Sequence, residues 1–428
     1  MVSPTKKILL LSLLTNACRV LLAIVFMVSG FVKAVDPMGF FYKLKEYAAV
    51  FDIVQLPDFF ILAVAILSIA VEFVAGFFLL TGIYRRLVAV FVFLAMLVYT
   101  PLTLYVAIKD PVPDCGCFGN AFYLTNWETF AKNVVLLLAA AVVCFKCELY
   151  KRRISDKNRW MVALFAAFYV LLVQGMSLMH LPVIDFSPFA VGSDLRDAVT
   201  DKPAVYESVA VYEKDSVQRE FPAEALPDSS WSYLGCRNRL ITPARVAAIG
   251  DFAIIDLATD EDFAEEILAD TGYVALLAME SIEDADESRV DKINDLYDFC
   301  EESGLAFYAA TSSEQQSVAL WRKRTGAEYP LYWADATMLK TMVRANPGLL
   351  LIKDGRVMAK WNIADAPHVD SLTDAKIARE RYDKSDVNLM RGWRFWLMLF
   401  VLPFAFILFV DMFAGGDKKK KEIKNSDI

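Results

Sequence analysis

The chain has 428 residues, 57% of them hydrophobic and 22% charged, with mean hydropathy +0.40 and a net charge of −8. That composition excludes an ordinary water-soluble enzyme of this length and reads as a polytopic membrane protein with a water-soluble domain attached. The acidic balance leaves no basic face for a nucleic acid. Two histidines, His180 and His368, are too few for a multi-histidine metal or bis-histidine haem centre.

A helix needs about 20 apolar residues to cross a bilayer core of roughly 30 Å, and six runs qualify. The first lies within Ile8 to Val35. The others cover Phe59 to Thr81, Leu87 to Ile108, Trp127 to Phe145, Trp160 to His180 and Trp393 to Phe413, with Trp127, Trp160, Trp393 and Trp396 at edges that suit an interfacial indole. With a cytoplasmic N-terminus, the inside segments carry Lys6, Lys7, Arg85, Arg86, Lys146, Lys151, Arg152, Arg153, Lys157, Arg159, Lys418 to Lys421 and Lys424. That is 15 basic residues, against Lys43, Lys45 and Lys109, three in all, in the short outside loops. Both termini are then expected inside and residues 181–392 exported. A signal-peptide reading of Lys6 to Cys18 would invert this order against the charge bias. The Lys418 to Lys421 run reads as a cytosolic anchor beside the last span.

Within the bundle, Arg19 in the first span is expected to snorkel inward or to pair with Glu72, the one carboxylate deep in spans one to five. Glu72 is either a functional carboxylate or half of a structural pair with Arg19 or Lys33. After span one, Phe40, Phe41, Leu44, Tyr47, Ala48 and Phe51 recur at helical spacing. The stripe predicts an amphipathic helix on the outer surface, with Lys43, Lys45 and Glu46 towards water.

These features resemble the DoxX/MauE-like group of bacterial membrane proteins over residues 15–147. The residues that carry the likeness are Arg19-Val20-Leu21-Leu22, Ser29-Gly30-x-x-Lys33-x-x-Asp36-Pro37, Glu72-Phe73-x-x-Gly76 and Cys115-Gly116-Cys117-Phe118-Gly119. The resemblance implies redox work at a membrane: quinone reduction for DoxX-type subunits, disulfide formation in exported partners for MauE-like ones. If a quinone binds, the resemblance and the buried charges place it near Arg19, Lys33 and Glu72.

The seven cysteines divide by topology. Cys18, Cys144 and Cys147 lie in spans or at the cytosolic face, and the Cys144-x-x-Cys147 pair has no second pair beside it. Cys115, Cys117, Cys236 and Cys300 face the oxidising exterior. A disulfide between Cys115 and Cys117 closes a very small ring, which favours exchange over permanence. Gly116 eases the turn, and Asp114 opposes a thiolate. Redox exchange, a structural bond and a metal site all stay open, although no further soft or imidazole ligand stands nearby.

From Gly272 the pattern alternates strand and helix. Strands are expected at Tyr273 to Met279, Leu305 to Ala310, Tyr329 to Trp333, Gly348 to Ile352 and Val357 to Trp361. Helices are expected at Asp284 to Ser303, Glu314 to Thr325 and Thr337 to Arg344. With Asn346-Pro347 before the last hairpin, this order is similar to thioredoxin-like domains, and the resemblance implies a cis bond at Pro347. A catalytic thioredoxin carries Cys-x-x-Cys after the first of these strands, where this chain reads Glu280 to Glu287 without a cysteine, so oxidoreductase activity of this domain is not expected. Cys236 and Cys300 are the candidates for a structural disulfide. Residues 181–271, with a strand at Val205 to Tyr212, read as a strand-bearing extension.

The expected architecture is an α-helical polytopic bundle of six spans plus an α/β thioredoxin-like domain. It divides as 1–180 (five spans), 181–271 (extension), 272–392 (thioredoxin-like) and 393–428 (sixth span and basic tail). The expected role is thiol/disulfide or quinone-coupled electron transfer in a bacterial inner membrane. Cys115 and Cys117 would react, Glu72 would act secondarily, and no metal takes part. The lipid bilayer and an exported thiol protein or electron-transfer partner would be the partners. A non-enzymatic anchor whose soluble domain recruits an exported protein is the competing role.

Overall fold

The computed structural model describes residues 4–53, 56–112, 115–119, 121–122, 124–150, 154–214, 217–222, 226–242, 244, 247–250, 252–366 and 393–426. Asp114, Lys151, Arg152, Arg153 and the stretch 367–392 fall outside them. The chain divides into two compact units: Met1–Ser187 with Val343–Gly348 and Trp361–Ile428, and Pro188–Met342 with Leu349–Lys360.

The first unit is helical. Among the described residues six helices are long and apolar enough to cross a membrane: α1 (Pro4–Val35), α3 (Asp58–Thr81), α4 (Arg85–Lys109), α5 (Asn126–Phe145), α6 (Arg159–Met179) and α12 (Trp393–Ser426), the last over Trp393–Met412. Over the membrane-crossing stretches each falls within two residues of an expected run; α1 as a whole begins at Pro4, four residues before Ile8. A shorter helix, α2 (Pro37–Val50), follows α1 directly. Large apolar side chains such as Leu10, Leu67, Val98, Leu138, Leu164 and Leu402 are exposed on these helices, as lipid-facing residues must be.

Packing rests on small residues where backbones meet. A Cβ at Gly76 would come within 2.7 Å of the Met27 nitrogen, and one at Gly30 within 2.7 Å of the Phe73 nitrogen, so α1 and α3 approach at distances only glycine permits. Beside this seam Phe73, Phe77 and Tyr169 pack on Phe400 of α12 at ring separations of 5.0–6.0 Å.

Arg19 corrects an expectation. Rather than pairing with Glu72, it is buried at 3% exposure and donates to the carbonyls of Leu79 and Leu80 at 2.9 and 3.1 Å. These carbonyls lie in the last turn of α3, whose C=O groups lack helical partners and carry the negative end of the helix dipole. A guanidinium at that spot satisfies both needs, so the charge had a nearer partner than a carboxylate.

The second unit is α/β. Its main sheet has seven strands in the order β10-β9-β6-β7-β8-β4-β5, with β4 (Ile255–Asp256), β5 (Glu261–Asp262), β6 (Tyr273–Met279), β7 (Ala306–Thr311), β8 (Leu331–Trp333), β9 (Gly348–Lys353) and β10 (Arg356–Asn362). β6 runs parallel to β7, and β7 to β8. β6 to β10 are the five expected strands, and the central place of β6 between β7 and β9 is that of a thioredoxin-like sheet. The crossovers are α9 (Val290–Ser303), α10 (Gln315–Thr325) and α11 (Ala336–Met342); two short helices, α7 (Leu195–Ala198) and α8 (Ala264–Ala269), precede them. The Asn346–Pro347 bond is cis, as expected. After β6, Ser281 and Ser313 donate to the Glu283 carboxylate at 3.0 and 2.6 Å, and hydrogen bonds from Ser313 and Ser317 hold that carboxyl down at about 2.

A separate three-stranded antiparallel sheet, order β2-β1-β3, is formed by β1 (Val205–Lys214), β2 (Val217–Pro222) and β3 (Ser232–Thr242). It corrects the Cys236–Cys300 pairing. Cys236 is exposed on β3 opposite Ala210, while Cys300 is buried in α9, and both are free. Burial pushes the Cys300 thiol up to about 11, as suits an inert apolar position.

Candidate functional site

The loop between α4 and α5 carries the site, and the capping of α5 sets its geometry. The Thr125 side chain accepts from the Glu128 backbone N–H, and the Glu128 carboxylate accepts from the Thr125 N–H at 2.9 Å, a reciprocal capping box. Helix entry is thereby fixed. Thr129 and Lys132 follow Thr125 by four and seven residues, so all three share one face. That face looks onto the cysteines.

In the loop, the Cys115 and Cys117 sulfurs are 2.7 Å apart, both half-buried free thiols. Gly116 between them has φ +66°, in the left-handed region, and a Cβ there would meet the Lys43 stem at 2.7 Å. Two side chains from the helices hold the loop backbone: Ser29 of α1 donates to the Cys117 carbonyl at 2.6 Å, and Tyr47 of α2 donates to the Cys115 carbonyl at 3.3 Å. A shallow cleft lined by Phe118, Phe122, Leu124 and Thr129 opens beside both sulfurs.

The thiols are unequal. A hydrogen bond from the Cys117 thiol holds Cys115 down at about 6. The Cys117 backbone N–H, the Thr129 hydroxyl and the charge of Lys132 add to this, and burial opposes it. Cys117 is pushed well above the ordinary thiol range, first by giving that hydrogen bond, then by burial and by the charge of Cys115. Thr129 is fully buried. The Lys132 ammonium lies 4.4 Å over the Phe118 ring, which fixes it beside the loop. One proton shared across the pair therefore leaves Cys115 the thiolate and Cys117 the thiol.

Below the loop, Lys33 and Glu72 form an ion pair at 2.8 Å, with 9% and 15% of their side-chain surfaces exposed. Lys33 also lies 5.0 Å from the Phe40 ring and within electrostatic reach of Cys117, and Tyr99 of α4 faces Glu72, Lys33 and Cys117. The structure thus brings together four expected residues, Cys115, Cys117, Lys33 and Glu72. It leaves Arg19 out, 14 residues before Lys33 on α1, which is about 21 Å of helical rise. Arg19, Lys33 and Glu72 do not make one quinone site: Arg19 is spent on carbonyls of α3 and Lys33 on Glu72.

Lys43 departs from expectation as well. It turns from water, with 13% of its side chain exposed, pairs with Glu46 at 2.7 Å, and lays its stem on Gly116. Thr129 and Lys132 were missed from sequence, although the Thr125-x-x-Glu128 spacing was there to place them. Cys147 is buried in the bundle and Cys144 half-buried on α5, both free.

Residues 11–146, about a third of the chain, match the family model for methylamine utilisation protein MauE. The stretch coincides with the resemblance carried by residues 15–147. No curated protein matches the chain. Among solved structures, the chain is similar to a solution structure from Bacteroides thetaiotaomicron that is described, provisionally, as a protein disulfide isomerase. The two are 16% identical, the match covers 33% of this chain and 91% of that one, and the TM-score is 0.24.

Proposed function

We propose that this membrane protein exchanges disulfides with an exported partner through Cys115 and Cys117. The observation that carries the reading is the pair itself: two sulfurs 2.7 Å apart, with Cys115 held towards thiolate and Cys117 towards thiol. A match to the MauE family over the bundle that holds the loop accords with it.

The exchange closes without a further reactant. The Cys115 thiolate attacks one sulfur of a partner disulfide, the S–S bond breaks, and the departing partner sulfur takes the electron pair and then a proton. Cys117 gives up its proton and attacks the Cys115 sulfur, forming the loop disulfide and releasing the second partner thiolate. Two electrons have moved from the loop to the partner; the reverse order oxidises a dithiol partner. Cys115 is the attacking residue because at neutral pH it is the ionised one. Cys117 resolves. Glu72 serves as counter-charge to Lys33 beneath Cys117, and no step is routed through a quinone.

The orientation belongs to the same proposal. The bias of 15 basic residues to three supports a bacterial inner-membrane location with both termini cytoplasmic, which puts the dithiol loop and residues 181–392 in the periplasm.

Acid-quenched thiol trapping in intact cells tests the reading. Cys117→Ser keeps a hydroxyl donor beside Cys115 but removes the resolving sulfur, so mixed-disulfide adducts should accumulate. Cys115→Ser should give none. If neither variant yields adducts and Cys115→Ser/Cys117→Ser leaves exported proteins in their normal redox state, the chain is a recruiting anchor and the exchange proposal fails.

A further inference from the structure

The segment Val343–Gly348 belongs to the helical unit, and from it Arg344 reaches Asp36. Its guanidinium makes a two-point contact with Asp36: Nε lies 3.2 Å from Oδ1 and 3.1 Å from Oδ2, and Nη2 lies 3.0 Å from Oδ2. Only 8% of the Arg344 side chain and 16% of the Asp36 side chain are exposed. A forked, largely desolvated contact of this kind fixes direction as well as distance. Asp36 has a second duty as the N-cap of α2, where it accepts the Gly39 N–H at 2.8 Å. The Arg344 guanidinium also stands 5.8 Å from the ring of Tyr42, one turn into the helix.

The same helix touches the dithiol loop further along. Lys43 lies on Gly116, and the Tyr47 hydroxyl holds the Cys115 carbonyl. From Asp36 to Tyr47 is about 16 Å of helical rise, a length over which a hydrogen-bonded helix moves as a rod. Arg344 at one end of α2 and Cys115 at the other therefore share one rigid body.

We infer that Arg344 is a positioning residue for Cys115: by clamping the Asp36 cap it sets the placement of α2 that seats Tyr47 and Lys43 on the dithiol loop. Displacing Arg344 from Asp36 lets α2 shift, loosens the loop, and takes Cys115 out of register with its donors. Any ligand of the Val343–Gly348 segment that competes for Arg344 would be felt at the thiol in this way. Its physiological weight rests on the exchange reading above; the link itself is read on the thiol alone. The charged and titratable groups that face the pair are Lys33 from α1, backed by Glu72 of α3, Lys43 and Tyr47 from α2, Tyr99 from α4, and Lys132 from α5. None of these side chains is replaced by a change at Arg344; Arg344→Gln also removes the positive charge beside Asp36, so Arg344→Lys, which keeps that charge, separates geometry from charge.

The test uses the full chain in detergent or nanodiscs with Cys18, Cys144, Cys147, Cys236 and Cys300 replaced by serine. Iodoacetamide labelling of Cys115 is followed across pH by mass spectrometry. Arg344→Gln should raise the midpoint by about half a pH unit or more, because the thiolate loses placed donors. Arg344→Lys, which keeps the charge but not the fork, should recover only part of it. Tyr47→Phe should raise the midpoint too, and Arg344→Gln/Tyr47→Phe should raise it no further than the larger single change, as residues acting through one path are not additive. An unchanged midpoint in Arg344→Gln, or fully additive shifts in the pair, overturns the inference. Should Arg344→Gln fail to insert, Arg344→Lys is read against the same two outcomes. Loss of partner adducts with the midpoints still coupled would count against the exchange reading and leave this link standing.

Discussion

The sharpest consequence of the site is the pH profile of Cys115. With the thiol held at about 6 rather than the ordinary 9.0, some nine-tenths of it is ionised near pH 7, against about one per cent of an unperturbed thiol. Ionisation alone would make it roughly 90-fold more reactive. A thiolate of lower basicity is a poorer nucleophile, however, and a Brønsted slope of about 0.4–0.5 over three units takes back a factor of about 20. Near pH 7 Cys115 should then react about fivefold faster than an ordinary thiol, and above pH 9 more than tenfold slower, as the ordinary thiol ionises and overtakes it. Because access to the cleft scales all rates together, the midpoint of the profile is the quantity to measure. Cys117→Ala removes the first cause of the lowered value and should move the midpoint upward. A parent midpoint near 9, or one that ignores Cys117→Ala, would refute the reasoning.

The same shift has a stability consequence with a definite sign. The folded thiol of Cys115 ionises below its unfolded value, so between pH 6 and 9 the unfolded chain binds the extra proton. Its contribution is complete above about 9 and is lost as the pH falls to about 6. Cys117, raised in the fold, contributes below the ordinary thiol range and loses that contribution only at higher pH. The melting difference between the parent and Cys115→Ala should therefore widen from pH 6 to 8.

The remaining expectations are structural. Glu72→Gln strands the buried Lys33 and should cost about 3 kcal/mol in thermal unfolding, while Lys33→Gln/Glu72→Gln should recover much of it; equal losses in single and double variants would deny the pair. Gly76→Leu must push α1 from α3 against the Met27 and Ala23 backbones and should lower stability by about 1–3 kcal/mol or more, whereas the same change at Gly175, with no neighbour within 4 Å of its Cβ position, should not. A reporter fused after Gly250 should be active only outside the cytoplasm and one after Ile428 only inside; an external C-terminus would reverse the proposed orientation.

The bundle was legible because spanning a membrane leaves one solution per apolar run; run length does not mark where a helix continues into water, so α1 begins at Pro4 and α12 runs on to Ser426. The α/β unit was legible for a related reason: β6 is apolar throughout and buried, and alternating strand and helix periods leave few topologies. Its pairings across distance were not. Cys236 and Cys300 were expected to pair, but nothing in a sequence tells that one lies exposed on a separate three-stranded sheet and the other on the buried face of α9.

At the site the division follows the same physics. The two cysteines and Glu72 announce themselves, since a two-residue spacing and a carboxylate in an apolar run are rare. What makes Cys115 differ from Cys117 does not: it comes first from the hydrogen bond between the two thiols and then from Thr129, an ordinary residue whose meaning depends on where a capping box points it. Arg19 shows the converse. Charge type and position suggested Glu72 as its partner, yet the nearest unsatisfied negative charge was the end of α3, which no side chain marks in the sequence. The partner of a buried charge is chosen by depth along the helices, and depth puts Lys33 with Glu72 under the dithiol and Arg19 at the opposite end. An electrostatic effect on the thiols must therefore come from the Lys33 end; Arg19→Gln should leave the Cys115 midpoint unmoved while lowering stability, and a shifted midpoint would mean the two ends of the bundle are coupled after all.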